Sequence, residues 1–313
     1  MASSESNGKG AGGYAVYAML ALGMATFGSA TPVSKIVSAE APVFVGSALR
    51  VGIGALALAP FVIGRFGEIR KLRRGDWAVI GLIALLGMFG FTALMLYGMQ
   101  MVSGVVGAIV MSTAPAVTAA ASMLLMGDRA TWRKITAIAL AVGGVLVLHL
   151  GRMGSGGGNG EEGGAGALLL GSALVFGAVC CEAAYTLLGK KISSRVDPVL
   201  AALLAAAVSL PLFVPLAVWQ WGGFEPAGVS ARAWMALVWY GAGTLALGTW
   251  LWYSGVRRAE GSVAAGFMGV MPASALILSY ALLGEAFEWL HLVGFAIVFA
   301  GVLLVSWEHA RQG

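Results

Sequence analysis

Two charges of opposite sign, Arg50 and Glu182, lie inside apolar runs long enough to cross a bilayer. An ionised side chain is costly in hydrocarbon, so one placed there marks a substrate or ion pathway. Arg50 could attract a substrate carboxylate; Glu182 could attract a substrate ammonium or carry a coupling proton. The plainer alternative is that each is satisfied by helix carbonyls, by Ser or Tyr neighbours, or by the other. Trp239, Gly243, Ala246, Trp250 and Tyr253 recur at three- and four-residue steps and so share one helix face. Aromatic rings would bracket two small residues there, shaping a slot for an apolar or aromatic group. Packing with Trp at the membrane interface is the competing reading. The matched face earlier in the chain, Leu82, Leu86, Phe89, Ala93 and Leu96, is mostly aliphatic. Pro115 and Pro272 each remove a helix hydrogen bond near mid-segment and are candidate hinges or static kinks. Ser112, Thr113 and Ser274 beside them are candidate substrate contacts.

These side chains must be held in lipid. Of 313 residues, 59% are hydrophobic and only 11% are charged, and mean hydropathy is +0.88. A soluble domain carries charge on about a quarter of its residues. The net charge of +5 does not point to nucleic acid, because the basic residues sit in short loops between apolar runs. Ten segments can span: 14–34, 41–63, 77–99, 104–126, 132–150, 166–189, 198–220, 233–255, 261–284 and 289–307. Residues 151–165 form a Gly-rich linker between two units of five spans, 14–150 and 166–307. The first span reads as an uncleaved helix rather than a signal peptide. With the N-terminus on the cytoplasmic side, 15 Lys and Arg fall inside and 3 outside (Lys35, Arg152 and Arg232). Both termini are then cytoplasmic. Trp77, Trp132, Trp219, Trp221, Trp234, Trp289 and Trp307 fall at span ends, as an interfacial belt requires. Cys180 and Cys181 are adjacent on a helix and unsuited to a mutual disulfide. His149, His291 and His309 form no metal spacing, and no cofactor motif is present.

A shift of 157 residues superposes the halves. Gly98 meets Gly255, Gly104 meets Gly261, Pro115 meets Pro272, Gly127 meets Gly284, Asp128 meets Glu285 and Gly144 meets Gly301. Spans 1–2 match 6–7 more weakly, with Lys35 near Lys190 and Pro42 near Pro198. Five spans is an odd number, so the second copy threads the membrane in the opposite direction. The charges follow: the loop after span 2 carries five basic residues and its counterpart carries Arg232 alone. Inverted copies permit two near-equivalent packings, the basis of alternating access.

The pattern G-x-x-A…P…G-[DE]…G-V, carried by Gly104 to Val145 and again by Gly261 to Val302, resembles the EamA-type family of the drug/metabolite transporter superfamily. Pro42, Phe44 and Arg50 are similar to that family's second span, while Asp128 stands where Glu is more usual. The resemblance implies an all-α membrane fold, with ten transmembrane helices as two inverted five-helix repeats around a central cavity. It also implies kinship with exporters of amino acids and related metabolites, the aromatic amino-acid exporter type first.

The reading that follows is a carrier in a bacterial inner membrane that exports small neutral or apolar metabolites, amino acids foremost. A zwitterion needs one cationic contact, one anionic contact and a side-chain pocket, which Arg50, Glu182 and the Trp239–Tyr253 face could supply. Proton coupling would run through Glu182. Efflux of organic cations is the alternative, since one Glu among aromatic rings suits cation chemistry. Exchange of phosphate esters would need several cavity cations, and only Arg50 is available. A non-transporting scaffold would carry large soluble loops. An enzyme would need a metal or a nucleophile–base pair.

Overall fold

The computed structural model describes residues 5–154 and 164–312. Residues 155–163 of the linker, and the side chains of Lys9, His149, Arg152, His309 and Arg311, lie outside the described residues. Ten long helices follow one another: α1 (Tyr14–Glu40), α2 (Val43–Ile69), α3 (Arg74–Met101), α4 (Gly104–Met126), α5 (Trp132–Gly154), α6 (Gly166–Ile192), α7 (Pro198–Trp221), α8 (231–256), α9 (261–283) and α10 (Trp289–Gln312). Eight of the helices are long and apolar enough to cross a membrane; α5 and α8 complete the set. Lipid offers no partner for a backbone amide, so a chain this apolar folds into helices that satisfy their own.

Packing follows the repeat. α2 lies against α7, α4 against α9 and α5 against α10, so each of these helices meets its own counterpart. α3 packs on α6 as α8 packs on α1, and α4 packs on α6 as α9 packs on α1. Those relations are what a two-fold axis between the copies produces. Small residues allow the close crossings. A Cβ on Gly144 would press on the Gly294 carbonyl and Val298, and one on Gly301 on the Ala137 carbonyl, fixing the α5–α10 contact. Gly28, Gly87, Gly90 and Gly107 also meet close neighbours, as expected of packing glycines. Gly266 does not: open space surrounds its would-be Cβ. Helices α4 and α9 end in the left-handed region at Gly127 (φ 72°) and Gly284 (φ 66°), matched C-terminal glycines.

One departure from regularity matters for the site. Residues Ile83–Gly90 of α3 and Trp239–Leu247 of α8 are π-helical. The two stretches occupy equivalent places in the repeats. Such turns are rare and cluster at functional sites.

The helix ends divide into a basic end, carrying Arg65, Lys134, Lys190 and Arg257, and an opposite end. At the basic end Asp197 binds the α7 N-terminus, accepting from the Val199 and Leu200 amides at 3.0 and 3.3 Å, and pairs with Arg65 and Arg257. Of the seven belt tryptophans all but Trp234 have exposed rings; Trp234 packs against the cluster around Val37 and Leu237.

Candidate functional site

A cavity of about 360 Å³ runs between the repeats, within the size range of small-molecule sites. Its middle is two-fold symmetric. Gly87 and Thr244, Met95 and Trp252, Met111 and Met268, and Pro115 and Pro272 are equivalent pairs under the 157-residue shift, and both members of each line it. Six methionines contribute: Met24, Met88, Met95, Met111, Met268 and Met271. Thioether side chains are flexible and polarisable, and such walls adapt to ligands of different shape.

Both intramembrane charges reach this cavity, Arg50 from α2 in the first repeat and Glu182 from α6 in the second. Arg50 is buried. Its Nη1 donates to Thr92 Oγ1, and its guanidinium carbon lies 4.1 Å from the Tyr240 ring centroid and 5.5 Å from that of Phe91. Its Nε has no hydrogen-bond partner among the described residues. Glu182 Oε2 is likewise buried without one. Neither charge is therefore fully answered by the other or by helix carbonyls. Tyr185, three residues along α6 from the glutamate, and Tyr253 also line the cavity.

Ser112, Tyr253, Pro115 and Pro272 line the cavity alongside Arg50 and Glu182. Thr113 and Ser274 do not. Their hydroxyls donate to their own helices, to Val110 O at 2.7 Å and Met271 O at 2.9 Å. The five-residue face expected on α8 is broken up. Trp239 is half exposed on the outside, its Nε1 donating to Ser29 Oγ at 2.9 Å, and Gly243 lies against its ring. Ala246 is buried in the core, and Trp250 packs on Phe61 with ring centroids 5.1 Å apart. Of the five, Tyr253 alone is on the cavity wall.

The cavity meets the neighbouring face of α8. The cavity wall of α8 is Thr244, Leu245, Thr249, Trp252 and Tyr253 instead. On α3 the wall is Gly87, Met88, Phe91 and Met95, not the aliphatic face. The wall residues follow helical steps, Met88–Phe91–Met95 and Leu245–Thr249–Trp252, so periodicity marks a face without saying which face meets the cavity. Met111 and Met268 were findable from the repeat, one turn before the matched prolines.

Among the described residues no group of three His, Cys, Asp or Glu side chains could hold a metal ion.

A helical bundle of two inverted copies around one cavity is the arrangement of a carrier, and the comparisons agree. The EamA-like transporter family matches residues 15–150 and again 169–307. The chain belongs to the EamA-like transporter family. It is thus a membrane transporter built on that family's two-repeat fold. Among curated relatives of this EamA-like protein, the uncharacterized transporter YetK of Bacillus subtilis is 30% identical over 288 residues, covering 92% of this chain and 86% of its own. A probable terminal-alkyne amino-acid exporter of Streptantibioticus cattleyicolor is 27% identical over 260 residues, covering 83% of this chain and 82% of its own. A crystal structure superposes with a TM-score of 0.63 at 16% identity, over 95% of this chain and 98% of that one, a likeness of fold alone.

Proposed function

We propose that this EamA-like protein exports small neutral or apolar metabolites, foremost amino acids with apolar or aromatic side chains, by alternating access across a bacterial inner membrane. One observation carries the reading: Arg50 and Glu182 enter a single cavity from opposite repeats, each with an unpartnered polar atom, between methionine and aromatic walls. A zwitterion presents a carboxylate and an ammonium to two such charges, and its side chain meets Met95, Met111, Trp252 and Tyr253. The positive-inside distribution of Lys and Arg puts the basic end and both termini in the cytoplasm. Glu182, the carboxylate in the middle of the passage, is the site for a coupling proton. The amino-acid exporter among the relatives supports the substrate class.

Export of organic cations is favoured by a different observation. Arg50 is already engaged by Thr92 and Tyr240, whereas Glu182 lines the cavity with its buried Oε2 lacking a hydrogen-bond partner. A flux panel in proteoliposomes separates the two. Transport of Trp, Phe, Met or Thr, lost in Arg50→Ala and in Glu182→Ala, supports amino-acid export. Transport of a quaternary ammonium dye, lost only in Glu182→Ala, moves the assignment to cations. Flux of neither class removes both.

A further inference from the structure

The cavity is symmetric at its centre and asymmetric at its ends. It reaches the basic end at Ser122, Asp128, Lys134 and Lys190. The repeat equivalents of the first three, Ser279, Glu285 and His291, and Lys35, which matches Lys190 two residues out of register, lie away from the cavity at the opposite end. Two of them grip a single turn there. Lys35 Nζ, on α1, donates to the carbonyls of Met99 at 2.8 Å and Val102 at 2.7 Å, where α3 ends. The Glu285 carboxylate, beyond α9, accepts from the amides of Gly104 at 2.5 Å and Val105 at 2.8 Å, where α4 begins. Ser279 Oγ donates to the Gly104 carbonyl at 3.2 Å. A cation on the carbonyl end of one helix and an anion on the amide end of the next each oppose the local helix dipole favourably. The α3–α4 turn is held by both.

The equivalent turn joins α8 and α9 at the basic end and is packed differently. Asp128, the match of Glu285, accepts from Ser122 Oγ at 2.6 Å and lies 4.0 Å from Lys134 Nζ. A Cβ built on Gly104 would run into Leu283, Glu285 and Ser279, whereas one built on the equivalent Gly261 meets nothing within 4 Å. The same parts are present twice and closed once.

We propose that Lys35 and Glu285 form the clamp that closes the passage at the opposite end, and that Lys190 and Asp128 are its counterpart, closing on the α8–α9 turn when the cavity faces the other way. This rests on the alternating-access reading above but on no choice of substrate. The two clamps are unequal. Asp128 is one methylene shorter than Glu285, so it grips its turn less well, and the conformation open at the basic end is the one favoured at rest. Asp128→Glu equalises them, and Glu285→Gln weakens the clamp that is closed.

The test is labelling of a cavity cysteine, Thr118→Cys with Cys180→Ala and Cys181→Ala, by a membrane-impermeant maleimide applied from either face of oriented vesicles. The unaltered clamps give labelling mainly from the basic face. Glu285→Gln and Asp128→Glu should each raise the labelling rate from the opposite face roughly five-fold, the size of one charge–helix-end interaction. Asp128→Asn should lower it. If a transported substrate shifts the ratio of the two faces while all three variants leave it unchanged, the clamp is wrong and alternation stands. Labelling from one face under every condition removes alternation and the clamp together. Asp128→Glu adds only a methylene at a half-exposed position, so a folded sample is expected even where Glu285→Gln loosens the bundle.

Discussion

The Arg50 guanidinium stacks over the Tyr240 ring, its carbon 4.1 Å from the centroid, while the Tyr240 hydroxyl has no hydrogen-bond partner among the described residues. The ring face and the hydroxyl can therefore be separated by mutation. Tyr240→Phe keeps the cation–π contact and deletes an unsatisfied buried hydroxyl, so thermal stability in detergent should hold or rise. Tyr240→Leu removes the ring and should cost about 2 kcal/mol for a desolvated cation–π contact. Substrate flux should follow the same order, since the ring holds Arg50 at the cavity wall.

Glu182 should show the opposite balance between stability and activity. A buried carboxylate with an unpartnered oxygen costs the fold free energy, and an amide of the same shape costs less. Glu182→Gln should melt at or above the temperature of the parent protein. Its flux should fall roughly 10-fold or more, the loss of one charge-assisted contact. A variant that transports normally would remove Glu182 from substrate and proton alike.

Adjacent glycines on α5 give a clean stability contrast. Gly144→Ala forces a methyl group against the Gly294 carbonyl and Val298, and overpacking of this kind costs about 1–3 kcal/mol. Gly143 faces open space, so Gly143→Ala should be neutral or gain up to about 1 kcal/mol of helix propensity. Thermal unfolding in one detergent compares them directly.

Several of these features were readable before any coordinates. The apolar runs and the matched Gly98/Gly255, Pro115/Pro272 and Gly144/Gly301 pairs sufficed for ten helices in two inverted copies. Arg50 and Glu182 were legible as charges within the membrane spans because hydrocarbon makes a charge conspicuous, and both line the cavity. The α8 wall was not legible. Trp239, Gly243, Ala246 and Trp250 obey α-helical spacing, and so do Leu245, Thr249 and Trp252 one position round; which of the two faces meets the cavity is set by the neighbouring helices. Thr113 and Ser274 lie off the cavity by their place on α4 and α9, since Ser112 also bonds its own backbone, at Ala108 O, and still lines it.

The sequence alone determined that this chain lives in lipid, how many times it crosses, and that its halves are antiparallel copies, because solvent and repeat act on residue type along the chain. The tertiary structure alone decided which side chains meet and which end is closed. Glu285 and Asp128 are equivalent by position, yet one holds a helix terminus of the other repeat and its twin does not. A two-fold symmetric sequence pattern carries no record of which of its two packings the molecule occupies; only the contacts between copies do.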